Sequence, residues 1–182
     1  NATLTYTGSA GLGGTALYPE NTNNDNITIT VNPGKTVTFV DYANFYTNNT
    51  NVNANTNTTI NINGTVNMPG SGSNFALKGA VGKSIVLNVN GALNVGGNFT
   101  PTSVAGGSLS ILTVGPGGSI TVNGTADFSD PNVVVSGIGA FHLSSGASIN
   151  IGSPDGIASP EASGNIQTAI RDFSPDADYR YA

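Results

Sequence analysis

The chain has 182 residues, with five basic and ten acidic side chains, one histidine, no cysteine and a net charge of −5. That length suffices for one domain with its own core. The scattered cations Lys35, Lys78, Lys83, Arg171 and Arg180 exclude a basic face for nucleic acid or an anionic membrane, and the missing thiols exclude a disulfide frame and any thiolate metal site.

Residues 1–26 hold one alternating segment, Thr3-Leu4-Thr5-Tyr6-Thr7, then a glycine-rich stretch and a polar cluster around Asn21 to Asp25, which reads as a strand followed by a loop. From Ile27 the alternation is sustained. Ile27, Ile29 and Val31 share one face, followed by Val37 and Phe39, Ile60 and Ile62, Val66 and Met68, Ile85, Leu87 and Val89, and Leu93 and Val95. Period-two patterning bounded by Gly, Asn and Pro predicts half-buried β-strands. Helix signals are weak throughout, and no apolar run approaches the roughly 18 residues that mark a membrane-crossing helix.

A phrase recurs along this stretch: a glycine, a small residue, then alternating β-branched residues. It appears at Gly34-Lys35-Thr36-Val37-Thr38-Phe39, Gly82-Lys83-Ser84-Ile85, Gly118-Ser119-Ile120-Thr121-Val122 and Gly146-Ala147-Ser148-Ile149. Self-similarity at roughly 20–50 residues is the signature of a stacked solenoid. The expected fold is therefore all-β, a right-handed parallel β-helix with rungs of 20-odd residues over 27–152. Asn63-Gly64, Asn90-Gly91 and Asn123-Gly124 are also strong hairpin signals, so an antiparallel β-sandwich is the alternative.

The excursions at 44–58, 69–73 and 99–106 interrupt the regular phrases. The first is the most polar, and its amides suit hydroxyl-rich ligands because each both donates and accepts. Tyr42, Tyr46, Asn51, Asn53 and Asn55 are the candidate glycan contacts, set against a solvated loop or an outward asparagine ladder. Segment 153–182 breaks the pattern and is expected to cap the coil or dock a neighbour as part of the same single domain. Its apolar set Phe173, Tyr179 and Tyr181, with Ile166 and Ile170, is too sparse for a separate core.

The C-terminal quarter also carries a resemblance. His142 to Ile151, Asp155-Gly156-Ile157, Ser163-Gly164-Asn165-Ile166-Gln167, Phe173-Ser174 and Ala177-Asp178-Tyr179-Arg180-Tyr181 are similar to a module of large repetitive surface proteins of gliding gram-negative bacteria that use type IX secretion. The resemblance implies a parallel β-helix and an adhesin-like surface role, and it carries no catalytic residue.

Residues able to support chemistry are few. His142 alternates with Phe141 and Leu143, which points it outward as a surface residue rather than a catalytic base. Asp127 and Asp130 sit at a strand end next to a proline turn, where Asp bonds its own backbone, in preference to acting as a calcium or carboxylate-pair site. Lys78 and Lys83 form the one group that a uronate lyase would use. Asp172, Asp176 and Asp178 are the calcium candidates, without the spacing of a known calcium loop. Thr28, Thr30, Thr36 and Thr38 hint at an ice-binding ladder without a repeated Thr-x-Thr phrase. Asn-x-Ser/Thr sequons abound as the composition alone dictates.

No enzyme and no cofactor are expected. The sequence predicts an extracellular or cell-surface structural and adhesive protein, working by multivalent contacts with its own copies, neighbouring surface proteins or glycans, with a self-assembling fibre as one form. A carbohydrate-binding module or polysaccharide-active enzyme on the same scaffold is the alternative.

Overall fold

The computed structural model describes residues 2–6, 10–12, 26–39, 42–46, 57–78, 84–102, 110–157 and 163–181. Strands β1 (Ala2–Tyr6) and β2 (Ala10–Leu12) open the fold. Four three-strand turns follow. They are β3 (Asn26–Val31), β4 (Thr36–Phe39) and β5 (Tyr42–Tyr46); β6 (Asn57–Ile62), β7 (Thr65–Met68) and β8 (Asn74–Lys78); β9 (Ile85–Val89), β10 (Ala92–Val95) and β11 (Asn98–Thr102); and β12 (Ser110–Val114), β13 (Ser119–Val122) and β14 (Thr125–Phe128). In the last two turns one long strand replaces the first two strands. β15 (Val134–Leu143) precedes β16 (Ser148–Ile151), and β17 (Ile166–Phe173) precedes β18 (Asp178–Tyr181).

Every pairing among these strands is parallel, and each strand pairs with its counterpart one turn away. The chain is thus a β-solenoid of three strand columns, and no helix is present among the described residues. The antiparallel sandwich is excluded.

The Asn-Gly pairs owe their glycines to stacking. A hairpin of type I′ needs φ above zero at both central residues, yet Gly64, Gly91 and Gly124 are absent from the glycines with positive φ. They turn corners between columns, where adjacent turns approach too closely for a side chain. A Cβ on Gly91 would lie 1.9 Å from the Gly64 carbonyl oxygen, and one on Gly124 would lie 2.3 Å from that of Gly97. Positive φ occurs instead at Gly34, Gly117 and Gly146, each at 72°. There a Pro-Gly or Ser-Gly pair sits in a four-residue turn closed by Lys35 N–H to Asn32 O, Gly118 N–H to Gly115 O and Ala147 N–H to Ser144 O, at 3.0–3.1 Å.

The recurring glycine phrase does not mark one column, as its repetition suggests. Its copies lead into β4 and β13 in the second column, β9 in the first and β16 in the third. The stacking step is 27 residues where corners are short, as in Ala92↔Thr65 and Ser119↔Ala92. It contracts to 21 at Ser119↔Ala140 and stretches to 32 at Tyr42↔Asn74.

Inward positions hold the core. Ile29, Ile60, Leu87, Leu112 and Val135 line the first column, while Val66, Leu93 and Ile120 line the second, all buried. Phenylalanines form a ladder along the axis: Phe75 to Phe99 at 5.9 Å, Phe99 to Phe128 at 6.0 Å, Phe128 to Phe141 at 5.9 Å and Phe141 to Phe173 at 6.1 Å between ring centroids. Such tilted and edge-on pairs add to the burial of each ring. Each turn buries its inward face only when another lies on it, so stability is a sum of neighbour contacts.

Segment 153–182 contributes more than a cover. Its described portion from β17 to β18 is a further turn in register with β15 and β16, with Ile149↔Tyr179 and Ile151↔Tyr181 paired. Pro175-Asp176 occupies the turn position that Pro-Gly fills elsewhere, closed by Ala177 N–H to Ser174 O at 3.1 Å. The pattern reads as broken because residues 152–165 separate this turn from the previous one and because its inward positions hold Arg171, Tyr179 and Tyr181 instead of aliphatic side chains.

Candidate functional site

Along two lines the outward positions are mostly polar, and parallel pairing stacks them into ladders. One runs Thr30, Asn61, Asn88, Thr113, Ser136 and Gln167 through six consecutive turns of the first column. Another runs Thr38, Asn67, Asn94, Thr121, His142 and Asp172 along the second. Identical amides one turn apart bond to each other, Asn88 Nδ2 to Asn61 Oδ1 at 2.9 Å, Asn90 Nδ2 to Asn63 Oδ1 at 2.9 Å and Asn94 Nδ2 to Asn67 Oδ1 at 2.8 Å. A primary amide can do this repeatedly because it carries donor and acceptor together.

Charge enters these ladders only near the C-terminal end. His142 faces outward, as its alternation predicts, but Asp172 of the last turn lies beside it, with Nδ1 3.3 Å from Oδ2. Asp178 pairs with Arg180 at 3.4 Å, and Asp176 is exposed in the turn before β18. The calcium candidates Asp172, Asp176 and Asp178 therefore occupy separate positions. Among the described residues no three acidic or histidine side chains lie close enough to share a metal ion. Asp127 accepts from the Ser129 N–H at 3.2 Å, and Asp130 from the Asn132 N–H at 2.9 Å, the bonds of turn-forming aspartates.

The docking candidates gather at the exposed end of the stack. Tyr179 and Tyr181 stand at inward positions, above Ile149 and Ile151, which are 0% and 1% exposed; yet the two tyrosines are 36% and 64% exposed. Among the described strands, β18 ends its sheet and β17 pairs with β15 alone. Among the described residues, no turn covers this end. Phe173 is half-buried against Phe141. Tyr179 donates its hydroxyl to the Ser174 carbonyl at 2.8 Å. Burial raises its phenol pKa above the usual 10.0, and the neighbouring Tyr181 adds to the shift.

Tyr42 and Tyr46 lie in β5, in register with Asn74 and Lys78. Their side chains, together with Asn51, Asn53 and Asn55, lie outside the described residues, as do the Lys78 side chain and Lys83. The Thr ladder is short. Thr28 stacks on Thr59, and Val86, Ile111 and Val134 continue the line.

A shallow groove of about 370 Å³ lies where the second column turns into the third, lined by Thr38, Asn67, Pro69, Asn94, Gly96 and Asn123. The hydrophobic period does not mark it. The 27-residue echo of Ile60-Asn61-Ile62-Asn63-Gly64 in Leu87-Asn88-Val89-Asn90-Gly91 carries the signal that would have placed Asn67 over Asn94.

No known family model, curated protein or solved structure matches the chain.

Proposed function

We propose that the chain is an extracellular structural and adhesive element of a cell surface, acting through many weak contacts rather than at one reactive site. The observation that carries this reading is the pair of neutral outward ladders, which present Asn, Thr and Ser in register over successive turns. A stiff array of equivalent hydrogen-bonding groups gains strength by multivalency, since each further contact forms at high effective concentration. The resemblance of the C-terminal quarter to adhesin-like type IX cargo supports the placement outside the cell.

A second form of this reading, a self-assembling fibre subunit, is favoured by the parallel turn-on-turn pairing of the described strands, which an end-to-end contact between copies would repeat. An edge strand with unpaired backbone groups beside exposed apolar side chains recruits another strand, and a head-to-tail contact that does not close propagates. Partners are then further copies or neighbouring solenoids. Sedimentation and negative-stain imaging across a concentration series test it. Elongated oligomers that disappear in a Tyr179→Lys/Tyr181→Lys variant are expected, whereas a monodisperse monomer at every concentration contradicts the fibre. Release of reducing ends from a polysaccharide by the chain would overturn the non-enzymatic reading as a whole.

A further inference from the structure

We infer that the groove between the second and third columns is a binding site for one extended chain of a neutral polysaccharide. The inference rests on the adhesive reading and names a ligand class for it.

The groove crosses four successive turns, from Thr38 through Asn67 and Pro69, then Asn94 and Gly96, to Asn123. Its long direction therefore follows the solenoid axis. The corner after β7 spans residues 69–73, whereas those after β10 and β13 are the pairs 96–97 and 123–124. The longer corner sits directly over Gly96, where a Cβ would come within 2.7 Å of the Met68 and Pro69 carbonyl oxygens. Glycine keeps that wall close, and exposed Pro69 gives it an apolar surface.

The polar groups are poised for hydroxyls. Asn94 Nδ2 donates to Asn67 Oδ1 at 2.8 Å. Among the described residues, this leaves the Asn67 Nδ2 hydrogens and the Asn94 Oδ1 without a protein partner, a donor and an acceptor on adjacent turns. Asn123 Oδ1 accepts from the Ser144 hydroxyl at 2.5 Å, which leaves its Nδ2 as a further donor. Among the described residues, none that lines the groove is charged, so a uronate or a phosphate finds no counter-ion among them, and a neutral ligand meets no desolvated charge there. Turns repeat at about 4.8 Å, close to the advance of one pyranose ring in an extended chain, so successive sugars meet successive turns. A proline beside amides suits the mixed surface of a sugar, with C–H groups on one side and hydroxyls around the edge.

The test uses the whole chain with cellohexaose and xylohexaose as neutral probes and hexagalacturonate as the charged one. In amide-resolved NMR titrations, the neutral oligosaccharides are expected to shift the side-chain amides of Asn67, Asn94 and Asn123 and to leave that of Asn132 in place. An Asn67→Ala/Asn94→Ala variant is expected to bind at least tenfold more weakly. Asn132→Ala alters an exposed amide in the corner before β15, outside both ladders and the groove, and is expected to bind as wild type. Binding whose shifts map elsewhere, equal losses in both variants, preference for the charged probe, or no neutral binding at millimolar concentration would each overturn the groove assignment. The mapping uses unaltered protein, so a variant that fails to fold does not decide the matter. Loss of the groove leaves the self-association test of the adhesive reading standing.

Discussion

Replacing Phe99 by alanine tests whether the axial ladder holds the turns together. The ring is fully buried and contacts three others, Phe75 at 5.9 Å, Phe128 at 6.0 Å and Phe141 at 6.5 Å between centroids. Truncating a buried Phe costs about 3–5 kcal/mol, and each lost aromatic pair is worth about 0.5–1.5 kcal/mol beyond its area. Phe99→Ala therefore belongs at the upper end, about 4–5 kcal/mol. In a domain of this size that lowers the melting temperature by roughly 10–20 °C. Phe173→Ala is the internal control, because that ring is half-buried and, among the described residues, has one aromatic neighbour; about 1–2 kcal/mol is expected. Urea unfolding followed by circular dichroism gives the magnitudes, and hydrogen exchange should show the Phe99 loss centred on β8, β11 and β14. A Phe99→Ala variant within about 1 kcal/mol of wild type, or a Phe173→Ala variant equally damaged, would refute the ladder argument.

Gly91→Ala, which forces a Cβ to within 1.9 Å of the Gly64 carbonyl, is expected to destabilise far more than Gly146→Ala, which meets no atom within 4 Å and strains only a φ of 72°, at about 1–2 kcal/mol; thermal melts of the two variants check the order. Thr58 buries its hydroxyl without a hydrogen-bond partner above Ile85, so Thr58→Val is expected to be neutral or to stabilise by about 1 kcal/mol, and a clear loss in urea unfolding would show that the hydroxyl is satisfied. Asn165 is fully buried. Its Nδ2 donates to Val133 O at 2.8 Å and Asp130 O at 3.2 Å, and its Oδ1 accepts from the Ser153 N–H at 3.0 Å. Asn165→Ala orphans buried backbone groups and is expected to cost about 2–3 kcal/mol, with exchange protection falling first in β17 and β18.

Much of the fold is legible because its determinants are local. Alternation at 27–31, 60–62 and 85–89 places each strand's inward face, and Pro33-Gly34 and Pro116-Gly117 give the corners their conformation. Register is less legible. The glycine phrase repeats because every corner must turn, so its copies mark corners of any column; the expected rung of 20-odd residues agrees with the 27-residue step, but the phrase alone does not fix which strands stack. The step resides instead in the asparagines that pair across it, Asn61 with Asn88 and Asn67 with Asn94. The β17–β18 turn escapes the pattern because Arg171, Tyr179 and Tyr181 stand where the preceding turn carries Phe141, Ile149 and Ile151, so its inward face does not read as aliphatic alternation. The groove is hidden for another reason. It depends on unequal corner lengths in neighbouring turns, a relation between residues about one step apart rather than a property of any segment.

The natural chain has no cysteine, so disulfide trapping tests the stacked register directly. Parallel neighbours lie about 4.8 Å apart, within the Cα separation a disulfide accepts, whereas residues two turns apart, at about 10 Å, lie outside it. The stack predicts efficient closure in Asn61→Cys/Asn88→Cys and in Asn88→Cys/Thr113→Cys, and free thiols in Asn61→Cys/Thr113→Cys, as read by thiol counting and peptide mass. Closure of the last pair within monomeric protein, or failure of the first two, would contradict a coil whose turns lie one over another in this order.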